Sequence, residues 1–265
     1  MKIYISGDIE GVTGVTNWDE TDLHKEDSKI PREQMTAEVV AACEGALQAG
    51  ATEIWVKDAH DSARNIIASR LPQAVRLIRG WSGHPFMMLQ ELDDTFQAVL
   101  LIGYHSRAGA ATNPLAHTMS GRVAQILLND RYASEFLIHA YAAASLHIPV
   151  VLVSGDKGLC DEVAQLNPHI GAVAVKEGIG ASTVSIHPEL ATARIREAAA
   201  QALRGDIAVC QIPLPGHFSV QLRYREHFEA YTRGFFPGAR QTDPFTIQFD
   251  TSSYFEVLRF LLFAV

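Results

Sequence analysis

Through its first two thirds, this 265-residue chain alternates short apolar runs with stretches of helical spacing. The strand-like runs are Lys2–Ser6, Glu53–Lys57, Ala98–Ile102, Val123–Leu128, Pro149–Ser154 and a weaker one at Gly171–Lys176. Between them, Arg32–Ala49 places Met35, Val39, Val40, Cys43, Ala46 and Leu47 at helical spacing; Pro31 opens it and Gly50 closes it. A second helix is expected from Ser134 to about Ser145, after the turn Asn129-Asp130-Arg131. The polar stretch Asn17–Lys29 reads as a loop. Strands buried on both faces are continuously apolar, and strand–helix alternation makes them parallel. The expected fold is therefore α/β, a mostly parallel sheet covered by helices. After about residue 180 the pattern changes. Pro188–Leu203 is an amphipathic helix, while His217–Tyr224 and Phe245–Phe249 alternate as half-exposed strands do. We expect an α/β domain over residues 1–180 and a smaller C-terminal α+β unit over 181–265.

Composition excludes several functions. A net charge of -8 without basic clusters argues against nucleic acid and against anionic membranes as partners. The apolar Phe255–Val265 is short and carries Glu256 and Arg259, so a buried final helix is expected there, not a membrane span. No charged segment precedes a long apolar run at the start, so no signal peptide is expected. Cys43, Cys160 and Cys210 are odd in number and far apart, which suits a reducing, cytoplasmic location. Eleven histidines direct attention to metal or acid–base chemistry.

The acids and histidines fall at strand ends. The first strand runs into Ser6-Gly7-Asp8-Ile9-Glu10-Gly11, the second into Lys57-Asp58-Ala59-His60-Asp61, the third into Gly103-Tyr104-His105. In a parallel sheet these ends lie on one edge, where ligand sites form. Asp8 and Glu10 are two apart, so extended backbone would point both carboxylates to one face. Two carboxylates that close repel unless a cation sits between them. A lone histidine after a strand is ordinarily a satisfied loop residue; three such clusters on one edge favour a metal site. Glu135, in a first helical turn, has two open readings: a metal ligand, or an acid placed for the helix dipole. His117, in the loop Pro114–Met119, could be an acid/base, an oxyanion donor or a bystander. His139, His147 and His187 read as structural or surface residues. Carboxylates and imidazoles without a thiolate cluster suit zinc or manganese in an open catalytic site. In two-metal hydrolases the ions share a carboxylate and a water, and Asp8 is well placed as that bridge.

Ser6-x-Asp8-x-Glu10-Gly11, Asp58-Ala59-His60, Gly103-Tyr104-His105 and His117-Thr118-Met119 resemble the motif series of the DppA-type D-aminopeptidases, a family of zinc metallopeptidases. Leu92–Phe96 and Val175-Lys176-Glu177 extend the resemblance. It implies two zinc ions per subunit. Asp8 would touch both, Glu10 and His60 would hold one, and His105 and Glu135 the other. It puts the catalytic histidine at His117. It also implies short peptides with an N-terminal D-residue as substrates, and a homo-oligomer built from pentamers, such as a decamer of two stacked rings. The chain departs from relatives at Ala181 and just before Glu135, so the resemblance speaks to fold and metal site more than to side-chain preference. The residues alone keep two alternatives open: a metal-dependent hydrolase of another small substrate such as a phosphoester, and a non-catalytic metal- or small-molecule-binding protein.

Overall fold

Most of the apolar runs pair side by side as a largely parallel sheet, the first layer of the fold. A computed structural model describes residues 1–265. In chain order, the elements of the first part are β1 (Lys2–Gly7), α1 (Lys29–Gln48), β2 (Glu53–Asp58), β3 (Val75–Ile78), β4 (Ala98–Tyr104), β5 (Val123–Leu128), β6 (Arg131–Tyr132), α2 (Glu135–Ala144) and β7 (Val150–Asp156). They continue with α3 (Lys157–Leu166), β8 (Gly171–Ile179), β9 (Ser182–Ser185), α4 (Pro188–Arg204), β10 (Phe218–Tyr224), α5 (His227–Arg233), β11 (Ala239–Asp243), β12 (Thr246–Thr251) and α6 (Tyr254–Ala264).

The first sheet has the order β3-β2-β1-β4-β7-β8-β9. All its neighbours pair in parallel except β8 and the edge strand β9. β4 and β7 are buried at every residue, as apolar strands between two helical layers must be. Helices α1 and α4 pack on each other; α1 also lies against β1 and β4, and α4 against β7 and β8. Burying these apolar faces supplies most of the stabilisation, at roughly 25 cal/mol per Å² of apolar surface.

The second sheet, β11-β12-β10-β5-β6, is antiparallel. Val123–Leu128 forms a strand as expected, but it joins this sheet and not the parallel one: Leu128 pairs with Val220 of β10. The second sheet thus draws strands from both sides of residue 180. The final apolar stretch is helix α6, buried on one face, where it packs on β10 and β12 with Phe260 stacked on Phe249 at 4.8 Å, while Phe255 and Phe263 stay exposed. The Tyr254 hydroxyl donates to the Ile138 carbonyl (2.6 Å), which ties α6 to α2. No helix is long and apolar enough to cross a membrane. The Asn17–Lys29 stretch holds two short 3-10 turns, Trp18–Glu20 and Glu26–Ser28.

Candidate metal centre

Strands β2, β1 and β4 are adjacent and parallel, so their carboxyl ends open onto one edge. Asp8 directly follows β1, His105 directly follows β4, and His60 lies two residues beyond β2. The expected pairing of Asp8 and Glu10 holds, but its reason needs correction. β1 ends at Gly7, and the next residues turn: the Val12 N–H donates to the Ile9 carbonyl (3.0 Å) and the Gly11 N–H to the Gly103 carbonyl (2.8 Å). The carboxylates converge through that turn and not through extended backbone. The turn presses against β4 so closely that a Cβ on Gly11 would lie 1.7 Å from the Tyr104 carbonyl oxygen. Gly103 answers from the other side: it has φ +74°, and a Cβ there would lie 2.3 Å from the Asp8 carbonyl oxygen. Glu135 arrives from elsewhere, as the first residue of α2, whose Ser134 N-cap accepts from the Leu137 N–H (3.1 Å).

These side chains meet in one buried cluster. Asp8 faces two histidines with its two oxygens: Oδ1 is 3.4 Å from His60 Nδ1, and Oδ2 is 3.6 Å from His105 Nε2. Glu10 Oε2 is 3.1 Å from His60 Nδ1, and Glu135 Oε2 is 3.3 Å from His105 Nε2. Donors held 2.0–2.2 Å from one tetrahedral zinc stand about 3.3–3.6 Å from each other. The spacings are close to those of ligands around a shared ion. His117 Nε2 lies further out, 3.6 Å from Glu135 Oε1, with its ring stacked on His105 at 4.4 Å.

Each ring has its other nitrogen engaged by a main-chain carbonyl: His60 Nε2 at Thr21 (2.9 Å), His105 Nδ1 at Ser106 (2.9 Å) and His117 Nδ1 at Leu115 (3.0 Å). A neutral imidazole that donates there turns a lone pair toward the carboxylates, a repulsive arrangement until a cation or a proton enters. Consistent with this, Asp8 Oδ2, Glu10 Oε2 and His105 Nε2 are buried without a hydrogen-bond partner. These are orphaned atoms of the type that ligates zinc, all turned inward, so the donor set fits the ion.

Protons answer the same need in the metal-free protein. Burial opposes charging His105, but Glu135, Glu10 and Asp8 outweigh it and raise its pKa to about 10. His60 is raised against burial in the same way by Glu10 and Asp8. Burial, then Glu10, pushes Asp8 up. Burial would push Glu135 up as well, but His105 and His117 bring it down to about 2. Displaced titrations clustered in one cleft mark a candidate functional site.

The sequence profile of the D-aminopeptidase family (peptidase M55) matches residues 1–263. The chain belongs to the D-aminopeptidase family. It is 31% identical over 264 residues to a D-aminopeptidase of Bacillus subtilis (strain 168), covering 99% of this chain and 96% of that one. Its fold matches that of the Zn-dependent D-aminopeptidase DppA from Bacillus subtilis, described as a self-compartmentalizing protease, with a TM-score of 0.94 and 29% identity over 100% of this chain and 96% of that one.

In this D-aminopeptidase the cluster floors a cleft of about 750 Å³. Asp8, Glu10, His60, His117 and Glu135 line it, and Trp18, Trp81, Met88 and Met119 add apolar wall. His105 lies beneath, fully buried. The sequence reading missed Trp18, which contacts the His117 ring edge-on at 5.3 Å. The polar stretch around Trp18 gave no periodicity to flag it; a bulky aromatic amid charged loop residues was the available signal. Asp58, next to a motif, stays out of the site, because its oxygens accept from the Asn65 and Ile66 N–H groups (2.5 and 2.7 Å) and from the Asn65 amide. His139 lies inside α2, bonded to the Glu135 carbonyl, and His187 caps α4, each in a structural place.

Proposed function

We propose that this D-aminopeptidase is a two-zinc enzyme that removes N-terminal D-residues from short peptides or amides. Asp8, Glu10 and His60 would hold one ion, and Asp8, His105 and Glu135 the other. The observation that carries this reading is that the two oxygens of Asp8 face two different histidines, each backed by its own glutamate. Zinc bound there supplies Lewis-acid polarisation of the scissile carbonyl and a water acidic enough to attack near neutral pH. His117 is the proton-handling residue. Its Nδ1 is committed to the Leu115 carbonyl, which leaves Nε2 facing the cleft to give or take a proton, or to donate to the developing oxyanion. Asp19, Asp22 and Asp61 make the rim negative, matched to a free α-ammonium. Stereochemistry is read by the wall, where Trp18 and Trp81 stand, because inversion at Cα exchanges side chain and hydrogen about a fixed amine and carbonyl.

The Zn-dependent DppA is described as self-compartmentalizing, and we extend to this chain a homo-oligomer larger than a dimer, such as a decamer of stacked pentamers. Phe228, Tyr231 and Phe235, in and just after α5, are more than half exposed and would suit an interface. Three free, buried cysteines accord with a cytoplasmic location. The deciding assay compares D-Ala-D-Ala, L-Ala-L-Ala and N-acetyl-D-Ala-D-Ala on one zinc-loaded sample. We expect cleavage of the first only. Equal cleavage of the D and L peptides would remove the stereochemical reading, and cleavage of only the acetylated peptide would overturn the aminopeptidase one.

A further inference from the structure

Lys176 of β8 is 3% exposed, and its two short contacts go to main-chain carbonyls: Nζ donates to Glu10 O (2.5 Å) and to Val15 O (2.6 Å). Both carbonyls belong to the turn that carries Glu10 and bracket its residues 11–14. The Glu10 carbonyl accepts a second bond from Asn113 Nδ2 (3.0 Å). The same Asn113 amide donates to Asp156 Oδ2 (3.0 Å), and Asp156 sits opposite Lys176 in the β7–β8 register. Asp156 also accepts from the Ser106 N–H (2.7 Å) and hydroxyl, and the Ser106 carbonyl holds His105 Nδ1. From α1, buried Glu38 accepts from the Thr13 N–H (3.1 Å) within the same turn.

We propose that Lys176 is a positioning residue for the metal centre: its buried ammonium, with the Asn113 amide, fixes the main chain of Glu10 and thereby the place of the Glu10 carboxylate. Burying an ammonium costs free energy that an apolar residue on β8 would avoid. The turn supplies the reason. Glu10 and Val15 both aim carbonyls into the interior, where no helix or strand partner meets them, and only a donor with several N–H groups can hold both at once. Releasing the Glu10 carbonyl would free the peptide that follows and let the carboxylate swing away from His60. The ligands from β4 and α2 keep direct contacts that neither Lys176 nor Asn113 makes: the Ser106 carbonyl holds His105 Nδ1 (2.9 Å), and the Met119 N–H donates to Glu135 Oε1 (2.7 Å).

This inference rests on the reading of Glu10 as a zinc ligand, so Glu10→Ala is carried beside the test variants. Metal-stripped protein is titrated with zinc against a chelating indicator, and near-UV circular dichroism reports the fold. In Lys176→Met, one zinc is expected to weaken by roughly 10–100-fold, the usual scale for losing a group that orients a ligand, while the other keeps its affinity. Asn113→Ser should weaken the same zinc by a smaller factor. Two zinc ions at wild-type affinity in Lys176→Met, or equal weakening of both, would overturn the proposal. If Lys176→Met does not fold, Asn113→Ser decides alone, and wild-type affinity for both ions there overturns it. If Glu10→Ala keeps both ions at full affinity, the ligand reading falls and this inference with it. If Glu10→Ala loses one ion and Lys176→Met loses none, this inference alone falls.

Discussion

His117 differs from the other two histidines of the cluster in what surrounds it. His60 and His105 each stand between two carboxylates, whereas His117 reaches only Glu135, at 3.6 Å, and is 14% exposed to the cleft. Asp8, Glu10, His60, His105 and Glu135 supply donors for two ions without His117, whose ring lies further out, stacked on His105. We therefore expect His117→Ala to keep near-normal zinc content and to lose turnover by about a hundredfold or more, the scale of lost acid–base help. Elemental analysis beside steady-state kinetics checks it; loss of zinc along with turnover would make His117 a ligand instead. His60 and His105 were legible in the sequence because each closely follows an apolar strand. Lys176 and Asn113 were not legible as supports of Glu10, because their partners are main-chain carbonyls and carry no side-chain signature. Glu135 stayed open between ligand and dipole partner because a helix N-terminus explains an acid by itself.

The turn after β1 depends on its close fit against β4. Gly11 and Gly103 let it lie directly on β4, and an added methyl at Gly11 would meet the Tyr104 carbonyl at 1.7 Å. Backbone cannot give way there as a flexible side chain could, so the turn must lift. Gly11→Ala should therefore cost stability on the order of 1–3 kcal/mol, as overpacking does, and should lower zinc content as well, since Asp8 and Glu10 ride on the lifted segment. Denaturant unfolding with parallel metal analysis would show it; a variant that is destabilised yet holds zinc normally would separate the turn from the site. The strands that position the cluster were legible from their continuous apolar runs. Edge strands β3 and β9 were not, because they are only partly buried and lack such runs. Helix α3 was missed because Asp156, the last residue of β7, is also its N-cap, leaving no turn signal between them. β5 was legible as a strand, but its partner β10 is far along the chain, and a local pattern does not name a distant partner.

The whole molecule buries three carboxylates and two histidines at one strand edge, and its stability must depend on what neutralises them. With zinc, the ion does so; without it, protons must. His105 titrates at about 10 in the metal-free fold, above the ordinary histidine value near 6.5. The group binds its proton more tightly folded than unfolded, so its stabilisation is complete below about pH 6.5 and is lost as the pH rises through about 10. His60 and Asp8 are raised as well and act in the same sense. Glu10 and Glu135 are lowered, and their contribution is already complete above the ordinary carboxylate range, so it stays constant across this window. Zinc, by contrast, requires deprotonated ligands, and its hold strengthens with pH. The expected result is a gap in Tm between zinc-loaded and chelator-stripped protein that is small near pH 6 and widens steadily toward pH 10. Thermal scans of both forms across that range are the measurement. A gap that narrows with rising pH would mean that the cluster is not neutralised by protons when the metal is gone, and that some other cation or a rearrangement of the Asp8–Glu10 turn takes over.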